Sequence, residues 1–188
     1  MKLNKSVLLA FALLIIVGSV CRVMGFAPQI AMAVFGAAII KDKRLAFVLP
    51  LVSMFISDVI FEVLFHLGYT NYGGFYSGQT FFDGQIMNYL LLASITLIGF
   101  WARNLNLNRI IAASVSAPVF YFVLSNFMVW IGGAGLQRPK TFSGLMMCYN
   151  DALPFFRSSL TNSLICSVIL FGGYYLAQRY FVARKQLA

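Results

Sequence analysis

The stretch KDKRLAFVLPLVSMFISDVIFEVLFHL, residues 41–67, decides the fold. Behind the basic tetrad Lys41–Arg44 it runs apolar from Leu45 to Leu67, and about 20 such residues cross the hydrocarbon of a bilayer as one helix. A surface helix of a soluble protein would carry a polar stripe along its whole length. Here the first half offers only Pro50 and Ser53. The second half carries Asp58, Glu62 and His66, every fourth residue and so along one helical face. The segment reads as a membrane span with a ladder of ionisable groups in one half, about 12 Å long at 1.5 Å per residue.

The rest of the chain repeats the theme. Of its 188 residues 61% are apolar and 10% charged, against about 25% charged in a soluble domain. This balance excludes an ordinary soluble enzyme, a disordered chain and a coiled coil. Short polar punctuation divides the apolar blocks into six predicted helical spans of one polytopic domain, residues 1–188. The predicted boundaries are Ser6–Cys21, Ala27–Ile40, Leu45–Leu67, Gly84–Trp101, Ile110–Ile131 and Leu160–Ala177. The second is short for a bilayer and reads as extended through Val23 or partly re-entrant. The N-terminus resembles a signal peptide, but no A-x-A site follows, and Val20 precedes Cys21 where a lipoprotein needs a small residue. It is read as the first span.

The net charge of +9 finds its reason in topology. With the N-terminus inside, the inner segments hold Lys2, Lys5, Lys41, Lys43, Arg44, Arg103, Arg109, Arg179, Arg184 and Lys185, and the outer ones only Arg22, Arg138, Lys140 and Arg157. Positive charge accumulates on the cytoplasmic side, so both termini are expected there. No basic stretch interleaved with aromatics points to nucleic acid. Two outer connections are long, Gly68–Asp83 and Gly132–Ser159, and read as lids or binding loops. The three cysteines, Cys21, Cys148 and Cys166, lack the spacing of a zinc or disulfide framework.

Ionisable groups deep in a span face a bundle interior or a wet cavity. Asp58, Glu62 and His66 are therefore expected to line a hollow reachable from outside, with Arg22 paired to Asp58 or Glu62. Two carboxylates and an imidazole could also hold a transition metal, which would make an intramembrane metal-dependent enzyme. His66 and Cys148 are the candidate ligands. Asn126 and Trp130 share a face of the fifth span, and Tyr149 and Asp151 belong to the most polar outer patch. Ala33, Gly36 and Ala37 permit close helix contact, either internally or with a larger complex to which the chain would be an accessory subunit. No nucleophilic triad, phosphate loop or dinucleotide fingerprint occurs.

With Arg22, Phe26-Ala27-Pro28, Ala31–Ala37, Pro50, Ser57-Asp58, Ser125-Asn126-Phe127, Trp130 and Cys148–Phe156 laid out, the chain resembles a family of small bacterial membrane proteins. That family is similar to the substrate-binding S components of energy-coupling-factor (ECF) vitamin transporters. The resemblance implies a six-helix bundle in the bacterial inner membrane, with a vitamin-sized pocket at its outer end under the long outer loops. It implies capture of a small-molecule ligand, a vitamin or a cobalamin-like nutrient, with no cofactor. Arg22, Asp58, Glu62, His66, Asn126, Trp130, Tyr149 and Asp151 would be the binding residues. It also implies docking on a shared ATPase coupling module, although some cobalamin-binding relatives work without one. The Ala-x-x-x-Ala of the first S-component helix is here Ala10-Phe-Ala-Leu-Leu14, and the clear match, Ala33–Ala37, lies in the second span.

Overall fold

The computed structural model describes residues 5–71, 85–132 and 138–186, and these are helical apart from short connections. Six helices follow in chain order: α1 Lys5–Val23, α2 Gln29–Ile39, α3 Lys43–His66, α4 Gln85–Phe100, α5 Leu107–Gly132 and α6 Phe142–Gln186. Three of them, α3, α5 and α6 as far as Tyr180, are long and apolar enough to cross a membrane. Helices α1, α2 and α4 are apolar but shorter, over Leu8–Val23, Gln29–Ile39 and Gln85–Phe100.

Helix α2 is the centre of the bundle. Each of the other five helices touches it, and every residue from Gln29 to Ala38 is buried. Its eleven residues rise only about 16 Å, so it is an interior helix wrapped by the others. The helix of the second span thus begins two residues after Ala27, ends one before Ile40 and does not extend to Val23. Its length is cut on one side by the Gly25 turn and Pro28. Gly25 takes φ +87°, a conformation that closes helix α1 with the Phe26 amide donating to the Cys21 carbonyl at 2.9 Å. Proline then starts α2 where no amide donor is needed, its carbonyl accepting from Met32 at 2.8 Å.

The small residues of α2 are consumed within the chain. Ala33 and Ala37 are completely buried. A Cβ on Gly99 of α4 would stand 2.7 Å from the Ala37 Cβ and 2.8 Å from the Val34 backbone, so α2 and α4 approach backbone to backbone. Gly36 faces Leu49 and the Ala46 carbonyl of α3 in the same way. Of the two contacts these residues permit, the internal one is formed: Ala33, Gly36 and Ala37 are covered by α3 and α4. Around it, Ile30, Val34, Met54, Leu92 and Ile95 form one apolar cluster, and Ile15, Met32, Phe35 and Leu49 another. Phe35 stacks edge-on against Phe171 of α6, with centroids 5.3 Å apart.

The far end of α2 has no capping side chain of its own. Arg103, just beyond α4, supplies the donors: Nε to the Ala37 carbonyl and Nη2 to the Ile40 carbonyl, both at 3.0 Å. Its guanidinium also lies over the Phe100 ring, 4.5 Å from the centroid. Two charge-assisted bonds to carbonyls that a helix end leaves free are worth about 2–3 kcal/mol together. Arg103→Met is expected to lower the thermal midpoint by roughly 4–12 °C, measured by melting in detergent, and Arg103→Lys to restore less than half, since one ammonium cannot repeat the fork.

Helix α6 corrects a second expectation. Residues 142–159, predicted as part of a long outer loop, are the first turns of a 45-residue helix. Pro154 lies inside it and removes a single amide donor. The other predicted outer loop, Gly68–Asp83, falls for the most part on residues 72–84, outside the described residues.

Candidate functional site

Buried polar groups converge where α1 ends and α2 and α4 begin. Ser19 of α1 donates to the Ile15 carbonyl at 2.7 Å and the Ser53 carbonyl at 2.9 Å. One turn on, Arg22 reaches α3 through a single nitrogen. Its Nη1 donates to Asp58 Oδ1 at 2.5 Å, to Ser57 Oγ at 2.6 Å and, longer, to the Met54 carbonyl at 3.4 Å. The pairing of Arg22 with Asp58 expected from the sequence thus forms. Asp58 is 2% exposed, and its second oxygen accepts from Tyr89 of α4 at 2.8 Å. The carboxylate ties α1, α3 and α4 together. A buried charge is tolerable only when paired and hydrogen-bonded, and both conditions are met.

The ladder on α3 does not act as a unit. Glu62 is 7% exposed and pairs with His66 Nε2 at 3.1 Å, while the His66 side chain is 60% exposed. Asp58 and Glu62 are buried and His66 is exposed, so the three side chains differ in their surroundings along α3. Each i to i+4 step rotates about 40° around the helix, so His66 has turned roughly 80° from Asp58 and left the interior. Among the described residues no three His, Cys, Asp or Glu side chains gather to hold a metal ion. Cys148 is buried and donates weakly to the Asn126 carbonyl, Sγ to O 3.6 Å.

The cavity lies beside the ion pair. About 170 Å³ in volume, it is lined by Arg22 of α1, Ala27 of the α1–α2 turn, Gln29 and Ile30 of α2, Met54 of α3, Asn88 and Leu92 of α4, Tyr121 of α5 and Ser159 of α6. All six helices contribute. Tyr121 donates to Asn88 Oδ1 at 3.2 Å. Gln29 Nε2 donates to the Gly18 carbonyl at 3.2 Å and to Ser53 Oγ at 3.4 Å. Its Oε1 is buried and has no partner among the described residues. A second void of about 230 Å³, between α1, α2 and α6, is lined by apolar groups and the thiols Cys21 and Cys166. It lacks the convergent polar groups that orient a small ligand.

Of the eight predicted binding residues, only Arg22 lines the polar cavity. Asp58 stands directly behind it, and Glu62 and His66 lie further along α3. Asn126, Trp130, Tyr149 and Asp151 are elsewhere: Tyr149 joins α6 to α5, Asn126 bonds within α5, and Trp130 and Asp151 hold the segment that leads into α6. Asn126 Nδ2 donates to the Phe122 carbonyl of its own helix at 2.8 Å, and Tyr149 to the Val123 carbonyl at 3.0 Å. Trp130 Nε1 donates to the Pro139 carbonyl at 2.9 Å, and Asp151 pairs with Arg138 at 2.5 Å. Lys140 covers the end of α5 by donating to the carbonyls of Trp130 and Ile131. Sequence reasoning missed Gln29, Asn88, Tyr121 and Ser159. Gln29 and Asn88 were legible as isolated amides in apolar runs, which membrane helices rarely carry idly.

No curated protein and no solved structure matches this chain. A family description does match, over residues 2–186. On that coverage the chain belongs to a family of unknown function, DUF6580.

Proposed function

We propose that the protein is a non-catalytic, multi-pass membrane protein that captures a small nutrient from the outer side and holds it in the six-helix cavity. The observation that carries this reading is the convergence of all six helices on one polar hollow, with a half-buried arginine in its wall that is paired to a buried carboxylate. Small-molecule sites are concave and mostly apolar, with a few converging polar groups, and intramembrane ionisable groups are functional by default. The charge asymmetry of the loops supports an outward mouth. The resemblance to S components of ECF transporters supports capture as one step of uptake, in a bacterial inner membrane and with a coupling module as possible partner. The volume narrows the ligand: about 170 Å³ is well below the roughly 300–1,000 Å³ of sites for drug-sized molecules. A cobalamin is thereby set aside in favour of a much smaller solute.

Ala27 is exposed and lines the cavity from the α1–α2 turn, so a large ring there blocks the mouth at little cost to folding. Small molecules extracted from the purified wild type and from Ala27→Trp, compared by mass spectrometry, are expected to differ by about tenfold or more in one species. Equal recovery from both, or no bound solute in the wild type, would defeat the proposal.

A further inference from the structure

Arg22 invites reading as an anion clamp, the usual work of an arginine in a pocket. Its charge is already matched. Asp58 holds it at 2.5 Å and is itself 2% exposed, and the next ionisable pair along α3 is Glu62 with His66. The formal charge around the cavity is therefore zero or negative, and a lone anion entering it would be desolvated without a counter-charge. A cation gains nothing either, because the carboxylate lies behind Arg22 and Tyr89.

What remains for a ligand is a set of dipoles. All the bonds of Arg22 run through Nη1, so Nε and Nη2, with three N–H groups, have no partner among the described residues. The amide of Gln29, which also lines the cavity, is fixed in direction. The Gly18 carbonyl can only accept, so Nε2 faces it and Oε1 is the atom without a donor. Both bonds made by that amide are long, 3.2 and 3.4 Å, so a slight turn toward a new donor costs little. The volume equals that of about six waters.

We infer that the cavity selects a solute of zero net charge and about six to eight non-hydrogen atoms, offering a carbonyl or carboxylate oxygen to Arg22 and an N–H or O–H to Gln29. This rests on the small-solute reading above and narrows it. Four ring probes of similar size separate the possibilities when titrated calorimetrically into the full-length protein in detergent. They are 2-pyrrolidinone (uncharged), L-proline (zwitterion), cyclopentanecarboxylate (anion) and pyrrolidinium (cation). At least one net-neutral probe is expected to bind at about millimolar concentration, and both charged probes about tenfold or more weakly. The lactam and the amino acid distinguish an uncharged amide from a zwitterion. Gln29→Met, which keeps the length of the side chain and removes its acceptor, is expected to weaken the neutral probe about fivefold or more. Cyclopentanecarboxylate binding as tightly as proline would overturn the charge selection while leaving small-solute capture standing. Silence from all four at about 100 mM would overturn small-solute capture itself.

Discussion

Asp58→Asn is expected to destabilise the protein by about 3–5 kcal/mol, the cost of leaving a buried charge without its partner. The substitution keeps the shape of the side chain, so packing is unchanged. It removes the counter-charge that Arg22 Nη1 holds at 2.5 Å and weakens the acceptor for Tyr89 at 2.8 Å. For a chain of this size the thermal midpoint should fall by roughly 6–20 °C. The double substitution Arg22→Met with Asp58→Leu should recover most of that loss, because an apolar pair of similar volume often matches or exceeds a buried ion pair in stability. The same double variant should lose the bound solute, since it removes the cationic wall of the cavity. Melting curves and solute recovery on the three proteins separate the two roles. A full-strength Asp58→Asn protein would show that Arg22 does not depend on Asp58.

Gly99→Ala should cost about 1–3 kcal/mol, the usual penalty of an overfilled core. Its new methyl would stand 2.7 Å from the Ala37 Cβ and 2.8 Å from the Val34 Cα and carbonyl oxygen. Backbone cannot yield as a flexible side chain does, so α2 and α4 must separate. Gly99→Leu is expected to abolish the folded protein. The matched control is Gly172→Ala, in α6, where nothing lies within 4 Å of the added atom. That substitution should be neutral or raise stability by up to about 1 kcal/mol, through helix propensity alone. Because Gly99 does not line the cavity, any Gly99→Ala protein that remains folded below its midpoint should keep its ligand.

The sequence made the helices legible because hydrophobic length is a strong signal and the polar punctuation fell at real turns. Asp42, for example, caps α3 by accepting from the Arg44 amide at 2.8 Å. The Arg22–Asp58 pair was also within reach, since two opposite charges in adjacent apolar helices have few alternatives. Two things were hidden. Residues 142–159 carry Gly144 and Pro154, which read as loop chemistry. Yet Gly144 is required by the close passage of the Pro139 carbonyl, and Pro154 costs the helix only one donor. The cavity was hidden for a different reason. Its polar walls come one to a helix, at Gln29, Asn88, Tyr121 and Ser159. A single polar residue in a span looks the same whether it binds a ligand or a neighbouring helix. Only the packing of the other five helices around α2 decides which of them meet.

The 45 residues of α6 form a rod about 68 Å long, more than twice the roughly 30 Å of oily interior that a membrane offers. A single crossing leaves about 38 Å of that length outside the oily interior, and α5 stays braced to the early turns of α6 through Tyr149, Cys148 and the Phe122–Phe156 ring contact at 4.5 Å. Joined in this way, α5 and the early turns of α6 form one continuous edge of the bundle and shift together if either does.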